Sequence, residues 1–169
     1  VMTYPLIGNY GICDDDYETD IPTIGALIVR EYNDEPSNFR STATLSEVMK
    51  RYGIIGVCGI DTRKLTRSIR DHGSGKALIT NADTPVDEGL KILSEYRIPA
   101  DAVSRVSCKN IWYSRVPEEK HRVVAIDCGM KRNIIRSLNR RGCTVITVPW
   151  NTGADEIIKL SPDGIFISN

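Results

Sequence analysis

The tripeptide Asp127-Cys128-Gly129 is the part of the sequence whose residue types come nearest to catalytic chemistry. It follows an apolar run and precedes a helical pattern, and strand-to-helix turns of α/β enzymes often hold a nucleophile or a phosphate. A nucleophile elbow has a glycine two residues before and two residues after the nucleophile, and Cys128 has neither. No base is placed near it by spacing. We therefore interpret the tripeptide as a turn in which Gly129 supplies backbone freedom.

Two further groups of residues could bind a metal. The acidic stretch of residues 14–20 contains the carboxylates that Ca²⁺ prefers, but it lacks the glycine and the terminal glutamate of an EF-hand loop, so we predict a solvated loop. The cysteines are odd in number and have no C-x-x-C spacing, which predicts free thiols and no metal site. They are Cys13, Cys58, Cys108, Cys128 and Cys143.

Other polar patterns have structural interpretations. The chain contains neither G-x-G-x-x-G nor G-x-x-x-x-G-K-[ST], so we expect no nucleotide site. Arg132, Arg136 and Arg140 recur every four residues and predict a basic ridge on a helix, usually a solvated face, with a partner contact as the open alternative. His72 is expected at a helix end, where a positive charge is favourable, and His121 in a linker.

The second half of the chain alternates between strand and helix patterns. Apolar strands are predicted at residues 123–126, 144–148 and 165–167, and helices at 130–141 and 155–160. This β-α-β-α-β order predicts the α/β class, with a parallel sheet covered on both faces. Ligands of such sheets lie beyond the carboxyl ends of the strands.

The first half predicts three helices and two strands. Thr44 and Glu47 have capping-box spacing and predict a helix over residues 45–52. Residues 54–60 are apolar and β-branched, which predicts a buried strand. Asp61 is expected to cap a helix that closes near His72-Gly73, and capping accounts for this aspartate without chemistry.

A second strand and a third helix are predicted further along. The strand covers residues 76–80, and Thr84-Pro85 is typical of a helix start. Leu90, Leu93 and Tyr96, or Ile92 in place of Tyr96, are then expected to face inward. Residues 114–122 contain proline and clustered charges and predict a linker, so we divide the chain into domains at residues 1–120 and 121–169.

Bulk composition excludes several classes of protein. The 22 basic residues balance 22 acidic residues, which removes the electrostatic case for nucleic acid as a partner. No apolar run approaches the ~20 residues needed to cross a bilayer, so we expect no membrane segment. The chain begins Val1-Met2-Thr3, without an initiator methionine in first place or a leader, and we expect it to be an internal stretch of a longer protein.

Several segments together resemble a known family, the small subunit of carbamoyl phosphate synthetase, in their order and spacing. Those similar to its amino-terminal domain are Thr3-Tyr4-Pro5-Leu6-Ile7-Gly8-Asn9-Tyr10-Gly11, Val29-Arg30-Glu31, Ser37-Asn38-Phe39-Arg40 and Ile60-Asp61-Thr62-Arg63-Lys64-Leu65-Thr66. Those similar to its amidotransferase domain are Val124-Ala125-Ile126-Asp127-Cys128-Gly129-Met130-Lys131-Arg132-Asn133-Ile134 and Pro162-Asp163-Gly164-Ile165-Phe166-Ile167-Ser168-Asn169. Cys13 and Cys128 depart from the residues usual in the family, so neither inherits a role.

The resemblance implies a class I glutamine amidotransferase subunit that supplies ammonia for carbamoyl phosphate, used in pyrimidine and arginine synthesis. Its fold would be a small amino-terminal α/β domain followed by the first β-α-β-α-β of a Rossmann-like amidotransferase domain. The family's catalytic Cys, His and Glu belong to a downstream part, so no catalytic, cofactor-binding or metal-binding residue is expected in this chain, which would be inactive alone.

The resemblance also implies a partner and a compartment. The partner would be the synthetase large subunit, which is expected to carry ATP and Mg, and glutamine would be the substrate of the full-length subunit. The location would be cytoplasmic. The alternative is a non-catalytic docking module for the synthetase subunit, and neither nucleic acid nor membrane is an expected partner.

Overall fold

The computed structural model describes all residues, 1–169, and they form two compact units. The amino-terminal unit contains residues 1–16 and 24–99, and the second unit contains residues 17–23 and 100–169. The two units therefore divide after residue 99. The division into domains near residue 120 stays a prediction.

The amino-terminal unit is built from two small pairs of strands and three helices. In chain order the elements are β1 (Leu6–Ile7), a 3-10 turn (Asp14–Asp16), β2 (Ala26–Ile28), β3 (Glu31–Tyr32), α1 (Leu45–Arg51), β4 (Ile55–Val57), α2 (Thr62–His72) and α3 (Val86–Glu95). Strand β1 pairs with β3, and β2 pairs with β4, both in parallel. The two strands of each pair therefore run in the same direction, and such parallel strands need a long connection between them.

The predicted helix caps of this unit are confirmed. The Thr44 hydroxyl accepts from the Glu47 backbone N–H at 3.1 Å, and the Glu47 carboxylate accepts from the Thr44 N–H at 2.8 Å. The Asp61 carboxylate accepts from the Lys64 N–H at 3.0 Å at the start of α2. His72 is the last residue of α2, and Gly73 follows with a φ of 84°. The Thr44 and Asp61 side chains thus accept from N–H groups that a helix leaves unpaired at its first turn.

The two strands predicted in this unit are not confirmed as they were predicted. Only Ile55–Val57 of residues 54–60 pairs, and Ile55 is 51% exposed, so the prediction of a buried strand is wrong. A two-stranded sheet has little to cover its second face. Residues 76–80 form no strand, because no strand of the chain pairs with them. Lys76 instead donates from Nζ to the carbonyls of Leu93, at 3.0 Å, and Tyr96, at the carboxyl end of α3.

Helix α3 begins one residue after Pro85, close to the predicted start. Its predicted inward face is only partly formed. Leu93 is half-buried, but Leu90 is 58% exposed, Ile92 43% and Tyr96 53%. The prediction is wrong for these three residues, because no other element of the unit packs over them.

The second unit is a four-stranded sheet with helices. In chain order its elements are α4 (Ala102–Val106), β5 (Trp112–Ser114), β6 (His121–Asp127), α5 (Arg132–Asn139), β7 (Cys143–Pro149), α6 (Ala154–Lys159) and β8 (Gly164–Ile167). The strand order is β5-β7-β6-β8, with β6 parallel to both β7 and β8 and β5 antiparallel to β7. The predicted β-α-β-α-β is confirmed, and β5 is an unpredicted edge strand that includes the start of the predicted linker.

The core of this unit has two parts on opposite faces of the sheet. One contains Val124, Ile146 and Val148 with Ile157 of α6. The other is formed by Ala125, Val145 and Ile135 of α5, with Leu138 and Phe166 at its margin. Both faces of the central strands are thus covered, as predicted for a parallel sheet.

Strand β8 departs from that pattern. It lies at the edge of the sheet, where Ile165 is 57% and Ile167 68% exposed. No helix of the chain is long and apolar enough to cross a membrane.

Candidate functional site

A cleft of ≈ 830 Å³ lies at the carboxyl end of β6 in the second unit. Three segments supply most of its lining, and we call residues 127–132 its floor, residues 105–109 one wall, and residues 18–21 with Thr23 the other wall. The carboxyl ends of parallel strands are where α/β sheets bind ligands. This cleft is therefore the candidate site, and it contains the Asp127-Cys128-Gly129 turn.

Asp127, the last residue of β6, is 9% exposed and holds the floor of the cleft together. Its Oδ1 accepts from the backbone N–H groups of Gly129, at 2.9 Å, and Met130, at 2.8 Å. Its Oδ2 accepts from the N–H of Cys108 on the wall at 2.8 Å. A buried carboxylate needs such partners, and here all three are backbone groups. Asp127 therefore organises the backbone and has no free oxygen aimed at a reacting group.

The turn after Asp127 has the predicted geometry. Gly129 has a φ of 109°, and a Cβ at this position would lie 3.1 Å from Cγ2 of Val106, so both backbone conformation and space favour glycine. The Cys128 N–H donates to the Ser168 hydroxyl at 2.8 Å, which ties the end of β8 to the end of β6. The structure places no histidine among the residues lining the cleft. That Cys128 has no catalytic role stays a prediction.

The wall formed by residues 105–109 is tightly bound to the sheet. Ser107 is 5% exposed, and its hydroxyl accepts from the Trp150 N–H, just beyond β7, at 3.0 Å. Burial, helped by the negative charge of Asp127, raises the pKa of the neighbouring Cys108 thiol to about 11. A thiol with that pKa is protonated at neutral pH and is a poor nucleophile. Cys13, in the amino-terminal unit, is 2% exposed, and burial likewise raises its pKa.

The other wall belongs to a segment that we name the strap, residues 17–23. The backbone carbonyl of Glu18 accepts from the Arg132 N–H at 3.0 Å, and its carboxylate accepts from the Asn133 N–H at 2.8 Å. Asp20 forms an ion pair with the Arg132 guanidinium. The strap thus contacts the first turn of α5, where negative charge is favourable. The prediction of a solvated loop agrees with the exposed Asp20 side chain, but it did not include the bonds of Glu18 and Asp20 to a helix more than a hundred residues away.

The other candidate residues are dispersed. Arg132 is half-buried in the strap contact, whereas Arg136 and Arg140 are exposed, so the predicted ridge is not uniformly solvated. His121 begins β6 and is exposed, and His72 contacts the Ser68 carbonyl at 3.0 Å within α2. All five cysteines are free thiols, as predicted. No group of three or more His, Cys, Asp or Glu side chains in the chain is arranged to hold a metal.

Three polar residues of structural importance were missed by the sequence analysis. Ser107 and Ser168 hold strand ends, and Asn139 joins α5 to two strands: its amide donates to the carbonyls of Ser114, at 3.1 Å, and Cys143, at 2.9 Å. Serine and asparagine are common in loops and at helix ends, so residue type alone did not indicate a structural role for these three. Only Ser168, directly after the strand predicted at residues 165–167, had a position that hinted at such a role.

Two family models match the chain in sequence. The model described as "Carbamoyl-phosphate synthase small chain, CPSase domain" matches residues 1–79, and the model "Glutamine amidotransferase class-I" matches residues 124–169. Residues 80–123 lie in neither match.

Curated relatives are similar along almost the whole chain. A carbamoyl phosphate synthase small chain of Bacillus thuringiensis is 50% identical over 99% of this chain and 45% of its own length. A pyrimidine-specific small chain of Bacillus subtilis is 48% identical over 99% of this chain and 46% of its own length. A small chain of Staphylococcus haemolyticus is 46% identical over 99% and 45%, respectively. The chain spans less than half the length of these relatives.

Proposed function

Since this chain is related along nearly its whole length to carbamoyl phosphate synthase small chains, we propose that it is the scaffold part of a glutamine-hydrolysing subunit of that synthase. The observation that carries the proposal is the ordered pair of matches, a small-chain domain followed by an amidotransferase domain. The first model is described by the small chain and the second by the amidotransferase class, so together they support a glutamine-hydrolysing small subunit.

The geometry of the cleft supports a scaffold role for residues 1–169. The polar groups at the strand ends bind backbone N–H groups: Asp127 binds three, Ser168 one and Ser107 one. The Cys108 thiol has a raised pKa, and Cys128 has no histidine beside it in the cleft. Nucleophilic catalysis by cysteine requires a thiolate that a neighbouring base or positive charge activates. We therefore propose that this chain alone hydrolyses no glutamine.

The proposed partner is the synthase large subunit, and glutamine is the proposed substrate of the full-length small subunit. Under this proposal, a thiolate elsewhere in the small subunit attacks the glutamine side-chain amide, backbone N–H groups hold the oxyanion, and ammonia passes to the large subunit. ATP and Mg would serve the large subunit. Carbamoyl phosphate made this way would enter pyrimidine and arginine synthesis in the cytoplasm.

A docking module without any role in glutamine hydrolysis is the second candidate. It is favoured by apolar side chains that α3 and its flanking residues leave in contact with solvent, including Val86 at 77% and Ile98 at 73% exposure. Contiguous exposed apolar surface is typical of protein–protein contacts.

One experiment tests the scaffold proposal and the proposed partner together. The purified chain is mixed with the synthase large subunit, and both complex formation and glutamine-dependent ammonia release are measured, with a full-length small chain as the positive control. Complex formation without ammonia release supports the scaffold proposal. Ammonia release that is lost on Cys128→Ser would show that the chain carries its own nucleophile, and failure to bind the large subunit would contradict the proposed partnership.

A full-length small chain in which residues 1–169 carry Asp127→Asn distinguishes the scaffold from the docking module. Loss of glutamine hydrolysis with retained large-subunit binding indicates that the strand-end frame supports the glutaminase reaction. Unchanged hydrolysis with retained binding favours the docking module.

A further inference from the structure

The two walls of the strand-end cleft are anchored very differently. On one side, Ser107 is buried and bonded to Trp150, and Cys108 is bonded to the buried Asp127. On the other side, the strap has no buried residue and no helix or strand. Ile21, its largest aliphatic side chain, is 61% exposed. Few buried apolar contacts and solvent-exposed hydrogen bonds are the features of segments that open locally.

The attachment of the strap to α5 is polar and partly solvated. In the Asp20–Arg132 ion pair, the side chains are 83% and 41% exposed, respectively. The bonds from the Arg132 and Asn133 N–H groups to Glu18 lie at the first turn of the helix, where water can replace a protein acceptor. Exposed ion pairs contribute little to stability and weaken as salt is added.

We propose that the strap is a hinged wall that opens and closes the strand-end cleft, with Glu18, Asp20 and Arg132 as its clasp. When the clasp is closed, strap residues line the cleft together with residues 105–109. When it opens, the strap leaves while the buried wall and the Asp127 floor keep their places. Access to Cys128 on the floor is then controlled by residues more than a hundred positions away in sequence. This inference rests on the geometry of the second unit and does not depend on the proposed function.

Alkylation of Cys128 by iodoacetamide, mapped by mass spectrometry, measures the opening directly. Cys58 is exposed in the amino-terminal unit and serves as the internal reference. The variants Arg132→Ala and Asp20→Asn each break the ion pair. Because an exposed pair contributes ~0.2–1 kcal/mol, each variant is expected to raise the Cys128 rate relative to Cys58 by up to about fivefold.

The two variants control for each other. Removal of a nearby positive charge disfavours a thiolate and slows alkylation, whereas removal of a negative charge favours it. An effect through the thiol alone would therefore move the two rates in opposite directions, and a broken clasp raises both. Arg140→Ala, at the residue directly after α5, removes an equal charge away from the strap and is expected to leave the Cys128 rate unchanged.

Hydrogen exchange supplies the second measurement. In both clasp variants, faster exchange confined to residues 17–23 and to the first turn of α5, together with faster Cys128 alkylation, supports the hinged wall. High salt should accelerate Cys128 alkylation in the unmodified chain and have a smaller effect in Asp20→Asn. Opposite shifts in the two variants, faster exchange throughout the second unit, or an unchanged Cys128 rate would each overturn the proposal.

Discussion

Replacement of Asp127 by Asn tests whether one buried carboxylate holds the strand ends and the cleft wall together. The substitution keeps the size of the side chain and one acceptor oxygen. That oxygen can still accept from the Gly129 and Met130 N–H groups, but the other oxygen becomes an NH₂ group facing the N–H of Cys108, which lies 2.8 Å from Oδ2. Two donors then meet in a buried place.

The expected loss follows from these three bonds. Hydrogen bonds to a charged group contribute about 1.5–3 kcal/mol each, and a buried donor without an acceptor costs about 1–3 kcal/mol. Two bonds become neutral and weaker, and the third is replaced by a donor–donor contact. We therefore expect Asp127→Asn to lower the free energy of unfolding of the second unit by about 3 kcal/mol.

Urea unfolding monitored by tryptophan fluorescence measures this loss of unfolding free energy, because both tryptophans, Trp112 and Trp150, lie in the second unit. Asp163→Asn is the matched control: Asp163 is exposed and accepts a single bond, from the Arg122 N–H at 2.7 Å, which an asparagine oxygen can replace. The control should lose less than about 1 kcal/mol. Equal losses in the two variants, or a loss below about 1 kcal/mol for Asp127→Asn, would refute the argument.

Three further predictions concern stability. Thr147 is fully buried and its hydroxyl has no hydrogen-bond partner, so Thr147→Val should be neutral or raise the free energy of unfolding by up to about 1 kcal/mol, whereas Thr147→Ser, which keeps the hydroxyl, should not. Thr44→Ala removes half of a capping box and should cost about 1 kcal/mol in amide-exchange protection of α1, an effect that Thr42→Ala, outside the cap, should not reproduce. Because the Cys108 pKa is raised from its ordinary 9.0 to about 11, the folded state retains a proton that the unfolded state loses, so stability of the second unit should fall as pH rises through this window. Fluorescence-monitored urea midpoints should show that fall in the unmodified chain and a smaller one in Cys108→Ser.

In the strand-end cleft, polar side chains at the edge where α/β sheets bind ligands stabilise the backbone instead. Each of the side chains Asp127, Ser107 and Ser168 bonds a backbone N–H that the end of a strand or the following turn leaves unpaired. In a site of this kind, the polar side chains at the strand ends are used to bond the backbone. If the proposed function holds, the frame positions neighbouring parts of a larger subunit and leaves the reaction itself to other residues.

The local patterns in the sequence were sufficient for the β-α-β-α-β series of the second unit, though not for α4 and β5, and for the helix caps of the first. A capping box spans four residues, and the 3.6 and 2 residue periods of helices and strands repeat within a single element, so Thr44, Asp61 and the β-α-β-α-β series could be predicted without any distant contact. The Gly129 turn belongs to the same class, because a strand-to-helix turn sets its own backbone requirement.

Tertiary structure alone decided which distant side chains meet. Residues 76–80 have a strand-like sequence but no partner to complete their hydrogen bonds, and α3 has an apolar face without a neighbour to bury it. Conversely, Glu18 lies in a polar stretch that resembles a solvated loop, yet it binds Asn133 at the start of α5. Hydrogen bonding and burial depend on what the chain brings alongside a residue, and that information is spread over more than a hundred positions rather than held in any one segment.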